Sequence, residues 1–176
     1  MTLSPPTVPP ARFRALMSRW ATGVAVVTAS GPGGDAGLTV NALTSIALDP
    51  PSLLVSLTRD ADTLPVIEQS GRFAASFLSV EQRALSERFA RTIPPREKFR
   101  DVPLRRAPGG SPLIDGSLGA LECRVERRVP LFDHVLLIGI VEHAEAGADA
   151  LPLLFFRSDY GAAVDAERLR LPPPRP

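Results

Sequence analysis

The chain has 176 residues, 44% of them hydrophobic, with a formal net charge of +1 and a mean hydropathy of +0.08. That balance suits one globular domain with a sizeable core, gives no charge-driven pull toward nucleic acid or a membrane surface, and leaves no apolar run near the ~20 residues of a membrane span. A lone cysteine, Cys123, excludes an internal disulfide and a cysteine-rich zinc site. The N-terminus lacks the basic start and apolar run of a signal peptide, so a cytoplasmic location is expected.

Proline-rich ends at 1–10 and 166–176 are expected to be flexible tails around a single domain at 11–165. Phe13, Leu16, Met17 and Trp20 follow the i, i+3, i+4, i+7 spacing of one apolar helix face, which predicts a helix over 11–20. A buried strand at 24–29 leads through a glycine-rich turn to a strand at 37–47. Pro50-Pro51 breaks it, and another strand follows at 52–58. Thr63 is placed to cap a helix over 64–70, with Pro65 tolerated in its first turn and Gly71 closing it. A strand at 72–78 follows. Ser79 and Gln82 have capping-box spacing and open a helix at about 80–91 that is expected to bury Val80, Ala84, Leu85 and Phe89. After a proline- and arginine-rich loop at about 92–116 come strands at 118–129, 134–144 and 152–157. Many antiparallel-looking strands and few helices predict a mainly β fold of six or seven main strands, a barrel with peripheral helices.

Several patterns lose their sharper meaning in context. Residues 31–36, GPGGDA, match the dinucleotide fingerprint formally, but the residues that follow read as strand rather than the helix that would face a pyrophosphate. The only histidines, His134 and His143, lie nine apart on one strand and point to opposite faces, which disfavours a protein metal site. There is no nucleophile elbow for a serine hydrolase. Cys123 reads as a core thiol. Arg91, Arg96, Lys98, Arg100, Arg105 and Arg106 form a basic run relieved by Glu97 and Asp101. It reads as a solvated loop or as a flap over a phosphorylated ligand; without aromatic residues to stack bases, it is a poor nucleic-acid surface.

The stretch Gly37–Thr58, GLTVNALTSIALDPPSLLVSLT, gathers hydroxyls and an amide at strand ends, a neutral way to hold a flat polar ligand and its phosphate. It resembles the flavin-binding signature of the flavin reductase family, the reductase components of two-component flavin-dependent monooxygenases. FRALMSRWATGVAVVTA, the segment from Asp62 to Ala90, Lys98-Phe99, SPLIDGSLGALEC, DHVLLIGIVE and PLLFFRSDYG extend the resemblance in order over about 13–161. It implies an FMN-binding split β-barrel, Greek-key-like, usually a homodimer with its flavin near the subunit interface.

The activity implied is NAD(P)H:flavin oxidoreductase, with hydride passing from NADH or NADPH to FMN (FAD possible) and reduced flavin going to a partner monooxygenase. By the same resemblance, Gly37, Leu38, Thr39, Asn41, Ala42, Thr44, Ser45, Ser56, Leu57 and Thr58 border the flavin. Asp62 and Thr63 hold its phosphate, with Thr63 suited by the free N–H groups of a helix start; Arg88 and Phe89 form a second contact pair. His134, the catalytic candidate, falls on the histidine of the family's Gly-Asp-His motif near the nicotinamide, where this chain has Phe132 in place of the glycine. Phe156, Arg157 and Tyr160 match the segment that shapes the nicotinamide site. Two other readings share the fold: a flavin carrier without turnover, and a reductase that keeps its flavin and serves another acceptor.

Overall fold

The computed structural model describes residues 7–163; the C-terminal tail expected at 166–176 and the first six residues lie outside them. Helix α1 (Pro10–Met17) is followed by strands β1 (Thr22–Gly23), β2 (Ala25–Gly31), β3 (Gly34–Val40), β4 (Leu43–Leu48) and β5 (Pro51–Thr58). Then come α2 (Thr63–Ser70), β6 (Arg72–Phe77), a 3-10 turn at Val80–Gln82, α3 (Arg83–Phe89) and the single-turn α4 (Pro95–Lys98). The chain finishes with β7 (Leu104–Arg106), β8 (Pro112–Ile114), β9 (Gly119–Leu131), β10 (His134–Ala146), β11 (Leu153–Phe156) and β12 (Asp159–Ala162).

Seven strands form one sheet in the order β3-β2-β6-β9-β10-β5-β4, antiparallel at every step. Its two edge strands, β3 and β4, are joined only by Asn41 and Ala42. Laid flat, seven strands would hold those edges ~29 Å apart at ~4.8 Å per step. A two-residue link reaches at most ~11 Å. The sheet is therefore curled until its edges nearly meet, as a barrel left open along one seam. The strand predicted as continuous at 37–47 is two strands because the chain must turn this seam.

Inside the curl, alternate residues of the strands make one core. Val27, Val55, Phe73, Cys123, Val135 and Leu137 are all fully buried in it, with Ile67 of α2 packed among them. Burial pushes the Cys123 thiol up to about 12, so it stays protonated and inert near neutrality. A second apolar cluster of Val26, Leu78, Phe89, Ile114 and Leu153 lies on the other face of the sheet, under α3 and the C-terminal hairpin.

Local signals explain most elements. Ser79 and Gln82 form the expected capping box, with the Ser79 N–H donating to Gln82 Oε1 at 3.1 Å. The helix after it buries Ser86 and Phe89, whereas Ala84 is exposed. Gly71 closes α2 in the left-handed conformation, φ +67°. Thr63 is not the cap of α2: Asp62 occupies that position without a capping bond, and Thr63 is the first helical residue, 2% exposed.

The loop expected at 92–116 holds α4 and the β7–β8 hairpin. Two of its arginines are pinned. Arg106 grips both carboxylate oxygens of Asp35 at 2.7 and 2.8 Å, and Arg105 pairs with Asp115 and Glu145. Nearby, the buried carboxylate of Glu122 accepts N–H bonds from Gly109 and Ser111. The apolar face of α1 and the turn after it stays largely uncovered among the described residues. Phe13 is 59%, Leu16 66% and Trp20 70% exposed.

Candidate functional site

A cleft of about 830 Å³ opens at the seam. Asn41, Ala42 and Thr44 form one wall, and Ser56 joins them from β5. The Ser56 N–H donates to Ala42 O at 3.0 Å, the bond that holds the link against the barrel. Four residues expected at a ligand therefore meet in one place, each because the two edges converge there. The rest of the lining was not foreseen. It includes Met17, Trp20, Thr22 and Gly23, which the sequence presents only as an apolar helix face and a strand start. The Thr22 hydroxyl is the one buried side-chain polar atom among the described residues that lacks a hydrogen-bond partner.

From the cleft, β5 and β3 carry polar groups toward the head of α2. Alternation along β5 turns Leu57 inward, 1% exposed, so its side chain belongs to the core, while Ser56 and Thr58 face out. Thr58 stands opposite His134 across β5–β10. The His134 ring is fixed by Asp133, with Nδ1 2.8 Å from its carboxylate. That contact is the main reason the Asp133 carboxyl lies below its ordinary range. Ser45 is exposed beside a bulge in β4 and does not line the cleft, although its neighbour Thr44 does.

On β3, Leu38 packs partly into the core, and the Thr39 hydroxyl donates to Ser86 O at 2.7 Å. Gly37 has no room for a side chain: a Cβ there would lie 2.9 Å from the Phe89 ring and 3.1 Å from that of Phe99. These rings pack edge to face, 5.0 Å between centroids. Phe89 is thus wholly buried and backs Gly37 rather than facing solvent.

Lys98, the only lysine, is 6% exposed and donates to Gly37 O at 3.1 Å. Burial lowers the pKa of its ammonium, and the Asp62 carboxylate acts in the opposite direction. A buried cation thus lies between β3 and the head of α2, where Thr63 begins the helix. Lys98 was legible only as one member of a basic run. Its burial against Gly37 requires the tertiary fold. Arg88 reaches Arg100, donating from Nη1 to its carbonyl at 2.8 Å.

Phe156, Arg157 and Tyr160 belong to the β11–β12 hairpin, which lies beside the cleft because β11 pairs with β1. The Tyr160 hydroxyl accepts from Ser86 Oγ at 2.8 Å and fastens the hairpin to α3. The Arg157 guanidinium lies over the Phe156 ring, and the Arg157 backbone N–H donates to Ser18 O, tying the hairpin to the end of α1.

Comparison with known proteins gives a consistent set of likenesses. The flavin reductase like domain matches residues 17–163. The chain is 37% identical over 150 residues to the FMN reductase (NADH) RutF of Cronobacter sakazakii, covering 85% of this chain and 90% of that protein. It is 34% identical to the reductase component of 4-hydroxyphenylacetate 3-monooxygenase from Thermus thermophilus, covering 86% and 95%. Among solved structures, flavin reductase PheA2 superposes with a TM-score of 0.81 at 34% identity, covering 90% of this chain and all of that one.

Proposed function

The chain belongs to the flavin reductase like family, and from that premise we propose that it is an NADH-dependent FMN reductase that supplies reduced flavin to a monooxygenase. The observation that supports this reading is the succession of polar groups along β5 and β3, from the seam cleft at Ser56 and Asn41 to the buried ammonium of Lys98, which feels the charge of Asp62 before α2. A flat ring with a phosphate tail has matching partners along it. Asn41, Thr44 and Ser56 offer an amide and hydroxyls to the ring's polar edge. Thr58 and Thr39 flank the path, and the N–H groups at Thr63 with Lys98 suit a phosphate. The Asp62 carboxylate, unfavourable to phosphate alone, has the Lys98 charge beside it.

FMN held there would supply the hydride acceptor for C4 of the dihydronicotinamide, so that FMN and NADH would become FMNH⁻ and NAD⁺. The protein's part is to hold two flat rings in register and keep water out. Asn41 and Ser56 orient one ring, Trp20 and Met17 cover its apolar surface, and His134 stands at the rim where the donor enters. Phe156, Arg157 and Tyr160 border that entrance.

The decisive experiment follows absorbance at 340 nm while FMN, FAD or riboflavin is added with NADH or NADPH. The reading requires NADH oxidation that depends on added flavin and is fastest with FMN. Flavin that stays bound with no oxidation would replace it with a carrier.

The same proposal includes a single domain at 11–165 that pairs with a second copy of the chain as a homodimer. The uncovered face of α1 and the exposed Ile46 and Leu48 of edge strand β4 are the surfaces it would cover. Sedimentation should give twice 18.8 kDa; a monomer at micromolar concentration would reject it. No helix among the described residues is long and apolar enough to cross a membrane, and a cytoplasmic place, where reduced nicotinamide nucleotides are held, completes the proposal.

A further inference from the structure

Leu131 and His134 face each other across β9 and β10, so the hairpin loop is only Phe132 and Asp133. Phe132 has φ +52°. Tight hairpin loops need a left-handed residue, and glycine meets that need without a Cβ to strain. Here an aromatic residue stands instead, and it is 86% exposed. Its ring joins none of the core clusters or aromatic pairs among the described residues. Neither the turn nor the packing among the described residues gains from the phenyl group.

The hairpin's register shows what the ring stands beside. Ser56, Leu136 and Val129 form one cross-strand row; Thr58, His134 and Leu131 form the next. Directly opposed residues share a face, so both rows lie on the face of cleft-lining Ser56, about 7 Å apart along the strands. Val129 and Leu131 are 40% and 43% exposed. The cleft thus continues as an open shelf, polar along Ser56, Thr58 and His134 and apolar along Val129 and Leu131, with Phe132 at its outer corner. Apart from His134, these rows carry no ionisable side chain, so the shelf suits a neutral flat ring better than a phosphate.

We propose that Phe132 is a specificity-determining residue of the donor subsite, its ring closing the outer edge of the shelf and packing against the dihydronicotinamide brought beside His134. This rests on the reductase reading above. Glycine at this position would leave the shelf open to water. Asp133, the other loop residue, holds the His134 ring in place, so one short hairpin positions both walls.

The test uses the full-length protein and the variants Phe132→Gly, Phe132→Leu and Phe132→Tyr. With saturating FMN, Phe132→Gly should raise KM for NADH about 3- to 10-fold, the range of one aromatic packing partner; Phe132→Tyr should stay near wild type and Phe132→Leu fall between. KM for reduced nicotinamide mononucleotide, which lacks the adenosine half, should rise by the same factor. FMN affinity measured without donor should stay within about twofold, and the thermal midpoint of Phe132→Gly should hold or rise, because a left-handed turn position favours glycine. An active wild type with unchanged KM in Phe132→Gly overturns the proposal. So does a rise confined to NADH, which would move the ring to the adenosine end, or an equal loss of FMN affinity, which would move it to the flavin. A wild type that oxidises no NADH with any flavin overturns both this proposal and the reductase reading.

Discussion

Replacing Lys98 with methionine should weaken FMN binding about 10- to 100-fold while leaving riboflavin binding nearly unchanged. The magnitude is that of one charge-assisted hydrogen bond, ~1.5–3 kcal/mol, at ~1.4 kcal/mol per tenfold. Lys98 is 6% exposed, its ammonium has Gly37 O as its hydrogen-bond acceptor, and burial disfavours its charge. Such a group is costly to bury unless an anion comes to it. Methionine keeps most of the length of the side chain and removes the desolvation cost, so the ligand-free variant should be at least as stable as wild type. Fluorescence titration with the two flavins reads the difference directly, because riboflavin lacks only the phosphate. An equal loss for both would mean that Lys98 serves to hold Gly37 and β3, and the phosphate would have to be sought elsewhere.

Phe73→Ala should cost ~3–5 kcal/mol of folding stability, a large part of the 5–15 kcal/mol typical of a domain. Phe73 is fully buried inside the curled sheet. Its ring lies against Gly139 on β10, where an added Cβ would come within 2.8 Å of it and 2.7 Å of the Cys123 Cβ. Ring and glycine are therefore one packing unit: the backbone of β10 approaches β9 and β6 closely because Gly139 leaves space that Phe73 fills. Removing the ring leaves a void bounded by strands on several sides, which cannot collapse without breaking their register. Urea unfolding should show a lower midpoint with an unchanged slope. A loss below ~1.5 kcal/mol would show that the barrel interior relaxes around the gap and is softer than its close packing suggests.

Legibility in the sequence followed the range over which each interaction acts. The strands at 25–31, 51–58, 72–77, 119–131 and 134–146, the capping box at Ser79 and Gln82, and the glycine stop at Gly71 depend on neighbours a few residues away, and these were readable. Asn41, Ala42, Thr44 and Ser56 were placed by family resemblance, and the fold brings all four to one cleft. What escaped depends on closure. The break between β3 and β4 follows from the edges having to meet, Lys98 turns inward only because α4 packs on β3, and Trp20 and Thr22 reach the cleft because β1 pairs with β11, over 130 positions away in sequence. The basic run at 91–106 stayed ambiguous for the same reason. Its composition left a solvated loop and a flap over a phosphorylated ligand both open, and the carboxylates that pair with Arg106 and Arg105, Asp35 and Glu145, lie far off in sequence.

The two-residue link at Asn41 and Ala42 makes the width of the ligand cleft and the girth of the barrel a single mechanical quantity. Neither edge strand can draw back from the other without shearing its pairing with β2 or β5, so the cleft has the stiffness of a hoop rather than of a hinged door. Grip on the ligand is then a property of the whole seven-stranded wall. A substitution anywhere along it that alters curvature will be felt at Asn41 and Ser56 without coming near them.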